Sequence, residues 1–394
     1  MRKPSLRFAT RAVRGRRRKG HAAIATPIHA SSVWTLESSR QGAAFAKATA
    51  PPAYYARWGN PTVRDLEDTL ADLEGGARGL AAASGMGAIA SAILAFVDQG
   101  DRIVAGSSLY TATMEILTRM LPRFGVRTTF VDPRIPGAWR DAVGDDTRLV
   151  YVETPANPTM IITDIREAVK AARSVGATLL ADNTFASPVN QRPLALGADL
   201  VLHSATKYLG GHHDVLAGAA VTSTLRQFRR LWFTYKLLGP TLGPFEAFLV
   251  RRGIKTLGIR MERQGETAQA LAEFLRDHRS VRTVYYPGLK DFAQHALARR
   301  QMSGFGAMLS FEPRGGYRAA RRFVESVEVA NLAVSLGGVD TLVQHPASMS
   351  HGPLTPAERR ASGISEGLVR VSVGLEDPDD VILDFDRALR KASR

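Results

Sequence analysis

Through the first half of the chain, short apolar runs alternate with stretches in which apolar residues recur at helical spacing. The runs over 79–83, 101–105, 127–131, 148–153, 178–181 and 200–202 predict buried strands, and the spacing over 114–121 and 164–174 predicts helices. Another helix is predicted from Asn60-Pro61: Asn60 can cap, proline suits the first helical position, and Val63, Leu66, Leu70 and Leu73 follow on one face. Such alternation predicts an α/β fold with a mostly parallel sheet covered on both faces. Beyond about residue 225 the alternation breaks. Residues 245–275 read as a long, Arg-rich helix, followed by strands over 281–285, 306–311 and 368–373 and helices over 317–327 and 379–390. Up to about residue 55 no period persists, and Pro27, Pro51 and Pro52 interrupt the chain, which predicts an extended arm lying on its own domain or on another subunit. The expected organisation is an arm at 1–60, a large domain at 61–253 and a C-terminal domain at 254–394.

A chain of 394 residues can bury a core in each of two such domains. With no cysteine, a disulfide scaffold, a thiolate nucleophile and a cysteine metal site are excluded, and the cytoplasm is the expected compartment. The longest apolar run, 88–97, suits a buried helix and is too short to cross a bilayer, so a soluble chain is expected. A net charge of +15 raises nucleic acid as a partner. The densest basic cluster is Arg14, Arg16, Arg17, Arg18 and Lys19; elsewhere arginines mix with acids and no aromatics interleave them. A solvated basic surface is the favoured reading, and a nucleic-acid partner is not expected. The Arg-rich start also mimics a transit peptide, but it lacks an amphipathic apolar face.

Candidate chemistry gathers where the predicted strands end, the place where parallel sheets bind ligands. Tyr110, Asn157, Asp182 and Lys207 each follow one of these runs. Lys207 stands between Ser204, Thr206 and the Gly210-Gly211 turn. Desolvation there would lower its pKa and expose the lone pair for attack on a carbonyl, while the neighbouring hydroxyls could hold a phosphate. That is the chemistry of pyridoxal phosphate; a surface lysine capping a turn fits this stretch alone equally well. The segment Ser84-Gly85-Met86-Gly87-Ala88 turns a small-residue strand into a helix, a phosphate-site pattern that tight strand-to-helix packing or a dinucleotide fold would share. Asp182 could ligate a cation, cap a turn or hold a protonated ring nitrogen; Tyr110 could stack on a ring or simply pack. Arg370 interrupts an apolar strand and needs an anionic partner, either a buried acid or a substrate carboxylate. His212, His213, His345 and His351 do not share one face, and no metal site is expected.

Jointly these motifs resemble the cysteine and methionine metabolism family of pyridoxal phosphate enzymes, which includes cystathionine γ-synthases, cystathionine lyases, methionine γ-lyases and homoserine-ester sulfhydrylases. The resemblance spans nearly the whole chain. It is most specific in Tyr55-Ala56-Arg57-Trp58-Gly59-Asn60-Pro61-Thr62, the 84–88 turn, Glu153-Thr154-Pro155-Ala156-Asn157-Pro158, the 203–212 stretch and His345-Pro346-Ala347-Ser348-Met349-Ser350-His351. It implies an aspartate-aminotransferase-like fold (fold type I), with a large mostly parallel-sheet domain and a smaller C-terminal α+β domain. It also implies that Lys207 links pyridoxal 5'-phosphate and then shuttles protons. Asp182 would pair with the ring nitrogen, Asn157 with the ring hydroxyl, and Tyr110 would stack on the ring and serve in proton transfer. Gly85, Met86, Ser204 and Thr206 would hold the phosphate, with Tyr55 and Arg57 reaching a neighbouring subunit's phosphate in a homodimer or homotetramer. Ser335 and Arg370, with Asn157, would take the substrate carboxylate.

The activity so implied is γ-elimination or γ-replacement on a sulfur-containing or homoserine-derived amino acid, a trans-sulfuration reaction. The neighbouring alternatives are a cystathionine β-lyase and an O-acetylhomoserine sulfhydrylase; rivals of other classes are a basic nucleic-acid-binding protein on the same fold and a nicotinamide-dependent dehydrogenase. Three departures bear on substrate. Ala112 stands where methionine γ-lyases usually carry cysteine, which points away from efficient methionine degradation; Trp58 differs near the site mouth, and Asp340 stands where many γ-acting members have glutamate.

Overall fold

The computed structural model describes residues 6–15 and 23–393. A seven-stranded sheet is built from β1 (Arg78–Ala82), β2 (Arg102–Gly106), β3 (Arg127–Val131), β4 (Thr147–Glu153), β5 (Thr178–Asp182), β6 (Leu200–His203) and β7 (Gly218–Thr222), in the order β1-β7-β6-β5-β4-β2-β3. From β3 to β6 all neighbours are parallel, whereas β7 runs antiparallel to both β6 and β1. Sequence periodicity does not announce β7, because Gly-Ala-Ala-Val-Thr is made of small residues that carry little apolar signal, although all of it is buried.

The unbroken apolar character of the central strands follows from burial on both faces. Leu149 and Tyr151 join the cluster that holds Ile89, Ala92 and Ile93 of the helix Gly85–Phe96. Val150 and Val152 face the other way, against Ile165, Ala168 and Ala172 of the helix Ile165–Ser174. This order sets the carboxyl ends of β2, β4, β5 and β6 side by side, and register pairs Glu153 with Asp182 and Asp182 with Leu202.

The helix Pro61–Glu74 starts where the sequence predicts: Asn60 Oδ1 accepts from Thr62 N at 2.9 Å, and proline holds the first position. The long helix expected over 245–275 is instead two, Pro244–Ile254 and Leu257–Asp277. Gly253 lies against the backbone of Leu209 and Gly210, so closely that a Cβ there would stand 2.2 Å from Gly210 O; the chain bends just after it, with no proline to mark the break. The segment at 114–121 is likewise irregular, passing from an α-helix at Thr111–Glu115 through wide and tight turns ahead of β3.

The predicted arm contains two helices, Phe8–Arg14 and Ser39–Lys47, both too short for a period to show. The first lies on its own chain: Arg11 pairs with Asp72 at 2.8 Å, and Arg251 Nη1 donates to Ala12 O at 2.9 Å. Of the basic cluster, Arg16 to Lys19 fall outside the described residues.

A second sheet comprises β8 (Val281–Tyr285), β9 (Met308–Pro313), β10 (Asn331–Leu332), β11 (Leu342–Gln344) and β12 (Val369–Ser372), in the order β10-β11-β12-β9-β8. Phe311 of β9 interlocks with Phe323 and Phe385 from two covering helices. Arg370, on central β12, is flanked by Gln344 and Ser310. Among the described residues no helix is long and apolar enough to cross a membrane.

Candidate active site

The turn at 84–87 opens the helix Gly85–Phe96. Ser84 Oγ caps it by accepting from Gly87 N at 3.0 Å, leaving the first amides and the positive end of the helix dipole for an anion. Only glycine fits at the start: a Cβ on Gly85 would stand 2.9 Å from Cβ and Oγ of Ser204. Gly218 is equally constrained, since its Cβ would meet Ser84 O at 2.0 Å. Ser204 therefore lies directly against the turn, and Met86 is half-buried beside it. Thr206 is engaged within the chain, its hydroxyl donating to Ala217 O at 3.1 Å and accepting from Ala217 N at 2.9 Å.

Lys207 follows β6, and its Nζ donates to Ser335 Oγ at 2.6 Å. Burial, and then the nearby Arg370 guanidinium, pull the Lys207 ammonium down to about 8. Ser335 adopts φ of +78°, a left-handed conformation costly for a serine, and its carbonyl accepts from Arg370 Nη2. Arg370 Nη1 donates to Asn157 Oδ1 at 2.9 Å. Arg370 is 4% exposed and the hydrogen bonds of its guanidinium go to neutral acceptors; burial lowers its pKa to about 10. A buried cation in such surroundings calls for an anionic ligand.

Asn157 in turn donates its backbone N–H to Glu153 Oε1, and Tyr110 donates its own to Glu153 Oε2, both at 2.8 Å. Tyr110 is 43% exposed, so its ring faces open space. Asp182, one strand over, receives Thr184 N–H at 3.0 Å, Thr184 O–H at 2.6 Å and Tyr151 O–H at 3.5 Å. Burial raises the pKa of Asp182, opposed by these donors and by His203. His203 is itself held by Glu74, Nε2 to Oε1 at 2.7 Å, beneath the sheet.

Tyr55 and Arg57 lie elsewhere in the single chain. Arg57 sits over the Tyr55 ring at 5.4 Å and donates to Lys236 O at the end of the helix Leu225–Leu238. Trp58 packs edge-on to Trp232 at 5.9 Å, and Lys236 Nζ lies 4.7 Å from the centre of each ring. Asp340 and His213 line a cavity of about 610 Å³ shared with Thr206 and Ser335. Ala112 follows Thr111, whose hydroxyl donates to Ser350 O at 2.9 Å.

Sequence reasoning did not single out Glu153, Thr184, His203 or Glu74 as site residues. Glu153 and His203 stood inside quoted motifs, while Thr184 follows Asp182 by two residues, the usual spacing for a hydroxyl that bonds back to an aspartate.

The arrangement fits pyridoxal phosphate. A glycine-lined helix start for the phosphate, a buried carboxylate bonded by neutral donors for a protonated ring nitrogen, and an amine pulled down to about 8 for the aldehyde follow β1, β5 and β6 at one end of the sheet, with Gly85 against Ser204. Comparison with known proteins agrees. Residues 9–390 match the family model described as Cys/Met metabolism PLP-dependent enzyme. An L-methionine gamma-lyase of Treponema denticola is 47% identical, over 98% of this chain and 97% of that protein. A cystathionine beta-lyase of Bacillus subtilis is 42% identical over 94% of this chain and 93% of its own length. The crystal structure of cystathionine gamma synthase from Xanthomonas oryzae superimposes with a TM-score of 0.93 at 41% identity, covering 99% of each chain. This chain belongs to the Cys/Met metabolism family of pyridoxal phosphate-dependent enzymes.

Proposed function

We propose that the enzyme catalyses elimination or replacement at the γ-carbon of a sulfur-containing or homoserine-derived amino acid. The observation that carries this reading is the chain of contacts from Lys207 through Ser335 to Arg370. It sets an amine able to lose its proton near neutrality beside a buried guanidinium that has no carboxylate partner among the described residues. The names of the relatives support the same substrate class, since an L-methionine gamma-lyase and a cystathionine gamma synthase both align over nearly their full length.

When bound, pyridoxal phosphate supplies the electron sink for a carbanion on the amino acid. The amides of 85–87 and Ser204 would hold its phosphate, Asp182 its ring nitrogen, Tyr110 its ring face and Lys207 its aldehyde carbon. Arg370, with Asn157 and Ser335, grips the substrate carboxylate through its planar fork and so fixes the direction in which Cα–H points. Lys207 Nζ then takes the Cα proton and carries protons between substrate carbons, which requires the neutral amine that burial favours. Tyr110 O–H, on the open side, meets the departing γ substituent and can give it a proton.

Tyr55 and Arg57 would serve the phosphate of a second subunit, which makes the working unit at least a homodimer and, in this reading, a homotetramer in the cytoplasm. Incubation with cystathionine, O-acetylhomoserine and methionine in separate reactions tests the proposal. Appearance of 2-oxobutanoate, or of cystathionine from the homoserine ester and cysteine, is expected; pyruvate as the sole oxo acid would replace it with β-elimination.

A further inference from the structure

We propose that Glu153 is a positioning residue for this chemistry, one carboxylate that fixes both Tyr110 and Asn157 by their backbone N–H groups. The inference rests on the reading of the site given above. The two donors come from different loops, one after β2 and one after β4, and each takes its own oxygen of Glu153 at 2.8 Å. Only an acceptor-only side chain with two oxygens suits this pair of donors; an amide would turn its NH₂ group toward one of them. From Asn157 the contacts continue through Arg370 to Ser335 and Lys207. Glu153 therefore joins the ring-stacking side of the site to the carboxylate-binding side.

Its surroundings make a carboxylate an expensive choice for a mere staple. Glu153 is 7% exposed, and sheet register places Asp182 of β5 beside it. The other titratable groups facing this pair are the buried phenol of Tyr151, on the same strand as Glu153, and His203, which favours the charged form of Asp182; the Arg370 cation reaches Glu153 through Asn157. Burial, reinforced by the charge on Asp182, pushes the Glu153 carboxyl up to about 8. Protonation of Glu153 relieves the repulsion and leaves the charge on Asp182, which Thr184 stabilises with two hydrogen bonds, but it turns one acceptor oxygen of the clamp into a hydroxyl, so both N–H groups are fully held by the ionised form. The clamp thereby couples loop position to proton occupancy.

The test is Glu153→Gln in the reconstituted holoenzyme, with circular dichroism to verify folding. The clamp predicts that kcat falls and KM for the amino acid rises together, lowering kcat/KM at least tenfold. It also predicts at least tenfold weaker binding of pyridoxal phosphate to the cofactor-free variant. A folded variant with unchanged kinetic constants, cofactor affinity and pH profile overturns the proposal. Should Glu153→Gln fail to fold, Glu153→Asp keeps the charge with a shorter reach: wild-type kcat/KM in that variant overturns the clamp, and a tenfold loss upholds it. Cofactor binding reads the clamp without turnover, so absence of any γ-product in the wild type would count against the proposed reaction and leave this measurement intact.

Discussion

Gly85 and Arg370 mark the two demands that single residues meet in this site, close approach and charge. A methyl group on Gly85 would stand 2.9 Å from Ser204, so Gly85→Ala must push the serine or the turn aside. Roughly tenfold or greater loss of pyridoxal phosphate affinity is expected by fluorescence titration, with the far-ultraviolet dichroism unchanged. Arg370→Lys keeps the charge but loses the fork that now spans Asn157 Oδ1 and Ser335 O. Steady-state kinetics should show KM for the amino acid raised roughly tenfold or more, and cofactor binding little altered. Lys207, Asp182, Asn157 and Tyr110 are legible in sequence by placement, because Asp182 ends an apolar strand and each of the others follows one within four residues. Glu153 is not legible in that way: a terminal acid on a strand looks the same whether it meets solvent or the amide of Tyr110.

The strands that the apolar runs predict lie within about two residues of those that form, since burial on both faces writes continuous runs, whereas β10, β11 and the helix Leu225–Leu238 are not announced by the sequence. The failures have particular causes. β7 is built of small residues, and the break between Ile254 and Leu257 is imposed by close packing of Gly253 on residues 209–210. Local chemistry does specify the helix Pro61–Glu74, through its Asn60 cap. Asn60→Ala should cost about 1 kcal/mol in urea unfolding, as loss of a cap usually does, and more if the bond from Asn60 Nδ2 to His29 O contributes. Gly253→Val should do greater harm, displacing the turn at Gly210 and lowering turnover along with stability.

Across the whole molecule the buried titratable groups shape stability against pH. Glu153 has a folded-state pKa of about 8 against an ordinary 4.5, so between those values the unfolded chain has released a proton that the folded chain keeps. Its contribution to stability therefore falls as pH rises from 4.5 to 8. Lys207 behaves oppositely: its folded value of about 8 lies below 10.5, so the unfolded chain binds the extra proton and stability rises with pH across that interval. Melting of the cofactor-free protein should show a contribution from this site that is least favourable near pH 8. Glu153→Gln should flatten the acidic arm and Lys207→Ala the alkaline one.

Ser335 and Arg370 belong to the second half of the chain, yet they complete a site whose lysine, carboxylates and phosphate turn all precede residue 222. During synthesis the strands of the seven-stranded sheet and Lys207 are made well before the arginine that would orient an amino acid. A message truncated ahead of β12 therefore encodes the residues that would hold pyridoxal phosphate without the arginine that would direct an amino acid onto it, and it also lacks β12's share of the core that continues from β7 into the second sheet.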